Sequence, residues 1–169
     1  MKYLTLLRHA KSSWDHAGLS DHERPLNDRG NRDAPRVARA LAAAYAERGV
    51  PLPQRALVSS ACRTRETADL VLPEIASAQL QIRDELYLAS AGEMMRILAA
   101  ADEQLSHVLL IAHNPGTGTL ADLLATDRPL HTFPTCCAVV LRFDIDFWGL
   151  LEAGAGQRLE VIIPRELSE

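Results

Sequence analysis

Tyr3-Leu4-Thr5-Leu6-Leu7 is an aliphatic, β-prone run that ends abruptly on Arg8-His9. Apolar on both faces, it has the pattern of a strand buried in the middle of a sheet. The same grammar returns at Val108-Leu109-Leu110-Ile111-Ala112, which runs into His113-Asn114. A shorter version, Ala56-Leu57-Val58, leads to Ser59-Ser60 and then Arg63, and a weak one, Leu80-Gln81-Ile82, leads to Asp84-Glu85. In each case a strand is followed at once by groups that carry chemistry.

Helical periodicity fills the intervals. Ala34, Val37, Ala38, Leu41 and Tyr45 share one face of a helix predicted over residues 31–48, with Gly49 as its stop. Ser60 is expected to cap a helix whose buried stripe is Ala61, Ala68, Val71, Leu72 and Ile75. Met94, Ile97, Leu98, Ala101 and Leu105 mark another helix, and residues 117–125 a further one. The tail reads as three strands, over residues 138–143, 148–151 and 159–163, forming a meander at the sheet edge. Alternating strands and helices define an α/β chain: a three-layer α/β/α sandwich with a mostly parallel central sheet, and a single domain over residues 1–169.

Composition agrees. At 169 residues, 47% hydrophobic and 24% charged, the chain matches an average soluble domain. Such a length buries roughly 70% of its unfolded surface and needs no disulfide or metal staple. No apolar run reaches the roughly 18 residues of a membrane span, and the first apolar run is too short for a signal peptide. Three cysteines, two of them adjacent, give neither a disulfide framework nor a zinc spacing, so a cytoplasmic protein is expected. The net charge of −4 argues against nucleic acid as a partner, yet leaves room for a locally basic pocket.

Ligands of parallel sheets bind beyond the carboxyl ends of the strands. There the sequence gathers Arg8, His9, Ser59, Ser60, Arg63, Asp84, Glu85, His113 and Asn114. Residues 10–30 are polar and aperiodic, and loops of that length in a domain are usually functional. Arginines grip phosphate oxygens through a planar fork, and a neutral imidazole attacks phosphorus to form a phosphohistidine. The pattern therefore suits phosphoryl transfer without a metal or other cofactor, since neither a Gly-rich phosphate loop nor a magnesium-binding acid cluster is evident.

Leu7-Arg8-His9-Ala10 resembles the Arg-His-Gly signature of the histidine phosphatase superfamily, which also holds the cofactor-dependent phosphoglycerate mutases. Residues 59–68, Ser-Ser-Ala-Cys-Arg-Thr-Arg-Glu-Thr-Ala, look like its second block, and Ile111-Ala112-His113-Asn114-Pro115 like its third. The details Arg-His-Ala-Lys-Ser, Arg-Pro-Leu-Asn-Asp-Arg-Gly and His-Asn-Pro are most similar to the small SixA-type phosphohistidine phosphatases. The resemblance implies a phosphoglycerate mutase-like fold with His9 as nucleophile, its other ring nitrogen held by a backbone carbonyl. It implies that Arg8, Arg63 and His113 clamp the phosphoryl oxygens and that Glu85 is the proton donor; Asn114 beside His113, and Ser12 and Arg24 in the long loop, are further expected phosphate contacts. Ala10 and Asn114 stand where many relatives have glycine.

The expected activity is hydrolysis of phosphohistidine on a protein, such as a phosphotransfer domain, through phospho-His9. The rival readings are a small-molecule phosphomonoesterase acting on a phosphorylated metabolite and a non-catalytic phospho-ligand binding module. Binding alone would not require the pair of histidines. His16, His22, His107 and His131 have no metal-ligand spacing and read as surface residues.

Overall fold

The aliphatic runs become the centre of one sheet. The computed structural model describes residues 1–75 and 78–168. Strands β1 (Lys2–Arg8), β2 (Arg55–Ser59), β3 (Gln79–Arg83), β4 (His107–Ala112), β5 (Ala138–Phe143) and β6 (Gly156–Ile162) lie in the order β3-β2-β4-β1-β5-β6. The first four run parallel; β5 is antiparallel to β1, and β6 to β5. The sheet is thus mostly parallel, and the carboxyl ends of β1 to β4 share one edge.

Side-chain alternation divides each central strand between two cores. Leu4, Leu6, Leu57, Val108, Leu110, Val139 and Leu141 face α3 (Ala91–Ala99) and α4 (Gly116–Leu124). Leu7, Ala56, Val58, Leu109, Ile111 and Val140 face α1 (Asp28–Arg48) and α2 (Cys62–Val71). Each fully buried leucine or isoleucine contributes roughly 1.5–3 kcal/mol relative to exposure. Together these contacts give the three-layer sandwich its two interior layers.

Thr5 and His107 are polar residues in these buried strands, and they satisfy each other. His107 Nδ1 lies 2.6 Å from the Pro51 carbonyl oxygen, which can only accept, so Nδ1 carries the proton. Nε2 then accepts from Thr5 Oγ1 at 2.9 Å, and Thr5 accepts from the Tyr45 hydroxyl at 2.7 Å. His107 is therefore a core residue rather than the surface histidine expected, because its strand leaves it no solvent face.

Other expectations shift locally. Helix α1 starts at Asp28, three residues early, because Asn27 caps it by accepting from the Gly30 amide at 2.9 Å. Gly49 ends it in the left-handed conformation, at φ 64°. Ser60 does not cap α2: the cap position is Ala61, and the Ser60 hydroxyl turns instead to His22 Nε2 at 3.0 Å. The expected strand over residues 148–151 is a single 3₁₀ turn, Trp148–Leu150. Its indole is fully buried and donates to the Leu105 carbonyl at 2.9 Å, which a strand of that alternation would not allow.

Burial pushes the His107 pKa down from 6.5 to about 4. The unfolded chain therefore binds a proton between those values that the folded chain refuses, and stability falls as pH drops from about 6.5 towards 4. The loss from this residue is on the order of 3 kcal/mol. Urea unfolding across that window should show it as a falling midpoint. His107→Gln, which cannot titrate, should make the dependence shallower without abolishing it, because His9 and His113 are also held neutral by burial; an unchanged slope would assign it wholly to other groups.

Candidate active site

The site forms where β1 ends. The His9 amide bonds the Ala112 carbonyl of β4 at 3.1 Å, and the Ala10 amide bonds Thr67 Oγ1 of α2 at 3.0 Å. On the other side the Cys136 amide reaches the carbonyls of Arg8 and His9 at 3.1 and 3.0 Å. With its backbone held from three sides, the His9 ring sets Nδ1 2.7 Å from the Ala10 carbonyl oxygen. That oxygen only accepts, so Nδ1 is the protonated nitrogen and Nε2 keeps its lone pair. Burial, reinforced by Arg63, Arg8 and Arg24, lowers the His9 pKa to about 4 despite the opposing bond to Ala10. The imidazole is neutral at pH 7.

Arg63 leaves the first turn of α2 with its guanidinium almost wholly buried, Nε 3.4 Å from His9 Nε2. His113 follows β4, and its ring centre lies 5.3 Å from that of His9. Its Nε2 lies 2.7 Å from the Ser59 hydroxyl, and its buried Nδ1 has no partner among the described residues. Burial lowers the His113 pKa to about 3. Arg8 donates through Nη1 to the Phe133 carbonyl at 3.0 Å, while its buried Nε is also unpartnered. Two buried, unpartnered nitrogens near the unprotonated nitrogen of His9 suit a cradle for an oxyanion.

The other expected residues are placed less uniformly. Arg24 donates to Ser12 Oγ at 3.1 Å and to the Ser13 carbonyl at 3.3 Å, with the Trp14 ring 3.6 Å away. Ser12 supports that arginine and bridges Leu26 within the long loop. Asn114 spends its side chain on structure: Nδ2 donates to the Phe133 carbonyl at 2.8 Å and Oδ1 accepts from the Gly118 amide at 3.1 Å. Glu85 is not drawn in. Its side chain is 62% exposed and pairs with Arg83 at 3.3 Å, which holds its pKa below the usual carboxylate value. It opens on a separate depression shared with Glu93 and Arg96.

Three residues enter the site unannounced. Arg63 Nη1 donates to the Asp21 carbonyl at 2.8 Å and Nη2 to its carboxylate at 3.1 Å. That carboxylate also accepts from the Tyr87 hydroxyl at 2.6 Å and from Arg24 at 3.1 and 3.2 Å. The Tyr87 hydrogen bond, then the two arginines, hold the Asp21 pKa near 2. The Tyr87 ring centre lies 5.5 Å from that of His113 and 4.8 Å from that of His22, the rings near perpendicular in both pairs. The close packing of α4 on Ala89 brings the Tyr87 segment there: a Cβ on Gly116 would meet the Ala89 carbonyl oxygen at 2.1 Å. The length and polarity of the loop over residues 10–30 were the available signal for Asp21 and His22; nothing in sequence marks Tyr87.

A neutral imidazole with its unprotonated nitrogen beside a buried guanidinium, ringed by further arginines and a second histidine, is an arrangement suited to phosphoryl transfer. The chain belongs to the histidine phosphatase superfamily (branch 1), whose family model matches residues 4–119. An uncharacterised protein of Mycobacterium tuberculosis is 30% identical over 168 residues, covering 94% of this chain and all of that one. The structure assigned to the phosphohistidine phosphatase SixA of Agrobacterium tumefaciens superposes with a TM-score of 0.80 at 26% identity, covering 96% of this chain and 98% of that one. A protein histidine phosphatase SixA complexed with tungstate shares the fold, with a TM-score of 0.78 at 23% identity over 98% and 99% of the two chains. The fold is thus the phosphoglycerate mutase-like α/β/α sandwich.

The Asp21 carboxylate occupies the Arg63 and Arg24 donors that an oxyanion would use. A unit charge some 5 Å from a dianion costs about 2 kcal/mol even at an effective dielectric constant near 80, and screening at physiological salt roughly halves this to about 1 kcal/mol. Asp21→Asn, which keeps the shape and removes the charge, should therefore lower the inhibition constant for inorganic phosphate by about threefold to tenfold. A raised constant would mean that orienting Arg63 is the larger contribution.

Proposed function

We propose that this protein hydrolyses phosphohistidine on a protein, without a metal, through a covalent phospho-His9. The observation that carries the mechanism is the His9 ring itself, anchored through Nδ1 with Nε2 unprotonated beside Arg63. His9 Nε2 attacks phosphorus as the bond from phosphorus to the leaving nitrogen breaks, and that electron pair stays on the departing imidazole. Arg63, Arg8 and His113 Nδ1 donate to the equatorial oxygens. Water then attacks phospho-His9, the electron pair returns to Nε2, one water proton passes to solvent, and phosphate leaves.

The position of Glu85 favours this substrate over an alkyl phosphate. An alkoxide leaving group needs a proton at the moment of cleavage, and a carboxylic acid supplies it best when its pKa lies near the working pH. Glu85 is exposed and held ionised by Arg83, and Asp21 is held ionised by Tyr87 and the arginines. An imidazole leaving group can take its proton from solvent beforehand, so a site with these carboxylates suits it. Three free cysteines, two of them buried, fit a reducing cytoplasm as the setting. Among the described residues, no helix is long and apolar enough to cross a membrane.

Two measurements test the reading. His9→Ala should lower kcat on a phosphohistidine peptide at least about 10³-fold while circular dichroism stays unchanged; retained turnover in a folded sample would remove the covalent step. With guanidiniums where other phosphatases hold magnesium, activity should persist in EDTA. Loss in chelator, restored by a divalent ion, would overturn the metal-free mechanism. Faster turnover of an alkyl phosphate than of the phosphohistidine peptide would move the assignment to a small-molecule phosphatase.

A further inference from the structure

On a chain of net charge −4, one groove beside the active site is crowded with arginine. Arg29, Arg32 and Arg36 project from α1, and Arg165 faces them from the 3₁₀ turn Pro164–Glu166. The space between them, about 310 Å³, has Pro134 and Thr135 along its wall. Asp33, itself buried, is the acidic residue in the lining; its contacts with the three helix arginines run from 3.3 to 3.9 Å. Arg36 is further committed to the Leu167 carbonyl at 3.1 Å. Arg29 and Arg32 remain 54% and 65% exposed, and Arg165 is exposed as well. Glu166, Glu160 and Glu47 open on a different depression.

The segment from Phe133 to Thr135 links the groove to the site. Arg29 Nη2 donates to Thr135 Oγ1 at 3.2 Å, and two residues earlier the Phe133 carbonyl receives Arg8 and Asn114. A polypeptide whose phosphohistidine reaches His9 would therefore lay its adjoining residues along Thr135 and α1. We propose that this groove docks an acidic segment of the phosphorylated partner protein, so that Arg29, Arg32 and Arg165 select the substrate by the carboxylates beside its phosphohistidine. The inference rests on the reading of the substrate as a phosphoprotein and adds what kind of surface that protein presents. Exposed guanidiniums of this kind act mainly on encounter rate and are screened by salt.

The test uses two phosphohistidine peptides of equal length, one flanked by Asp and Glu and the other by Asn and Gln. The wild-type enzyme should show about tenfold higher kcat/KM on the acidic peptide at low salt, shrinking towards parity at about 0.5 M salt. In Arg32→Glu/Arg165→Glu the preference should disappear or reverse, with p-nitrophenyl phosphate hydrolysis as the control for folding and chemistry. Equal kcat/KM for both peptides in the wild type, or a preference that survives in the variant, overturns the proposal. Fluorescence anisotropy with the unphosphorylated acidic peptide separates docking from catalysis. Binding that the variant loses supports the groove even if neither phosphopeptide is hydrolysed, an outcome that would instead sink the phosphohistidine reading. Absence of binding overturns the groove whatever the catalysis. Binding of inorganic tripolyphosphate where the peptide fails would overturn it in favour of a small-polyanion site.

Discussion

One hydrogen bond, from His9 Nδ1 to the Ala10 carbonyl oxygen, decides which nitrogen of the proposed nucleophile is unprotonated. Much of the surrounding structure serves to keep that carbonyl still. The Ala10 amide is tied to Thr67, whose hydroxyl in turn donates to the Arg63 carbonyl at 2.6 Å, so the nucleophile and its arginine share one anchor. Beyond Ala10, the Lys11 carbonyl lies where a Cβ on Gly30 would fall, 2.3 Å away, so the start of α1 presses directly on the loop. Glu66 closes the loop from the other side by accepting from the Leu26 amide at 2.6 Å. A tautomer fixed in this way needs no rearrangement during reaction, which is the condition for preorganised catalysis.

Burial supplies the second half of the chemistry. Taken out of water, both site histidines resist protonation, and the arginines around them add to that resistance. The same arginines would repel one another in an unliganded site. Asp21 relieves this by sitting as a resident counter-ion on Arg63 and Arg24, steadied by Tyr87. An incoming phosphoryl group thus exchanges with a carboxylate instead of being drawn from water into a bare cluster of charge. The exchange weakens binding of any free anion, product phosphate included, and favours release over retention.

The sheet and most of its helices are legible in sequence because they follow simple periods: aliphatic runs at Leu4–Leu7 and Val108–Ala112, and a helical stripe from Ala34 to Tyr45. The arginines and histidines at the strand ends are legible because a parallel sheet places all such ends at one edge. What sequence hides depends on folding over distance. Tyr87 enters through the approach of α4 to Ala89, Asp21 through a loop with no period, and His107 becomes a core residue only because Pro51 and Thr5 meet it there. Trp148 misleads in the opposite sense, since an aromatic among apolar neighbours has the pattern of a strand until its indole finds the Leu105 carbonyl. Glu85 stands beside a strand end as expected, but Arg83 two residues earlier captures it.

The charge balance of the whole chain is a poor guide to what it binds. An acidic surplus keeps like molecules apart and soluble, whereas recognition depends on where the minority sign is concentrated. Here arginines are gathered at the strand ends and again along the exposed side of α1, while Glu47, Glu160 and Glu166 open on a different hollow. Such a distribution repels an acidic protein over most of the surface and attracts it at one place. Under the proposed docking, orientation would be selected before contact: a partner arriving groove-first would already be turned with its adjoining residues towards Thr135 and its phosphoryl group towards Arg8. A small metabolite would gain nothing from that arrangement, because its charge fits inside the site and never reaches α1.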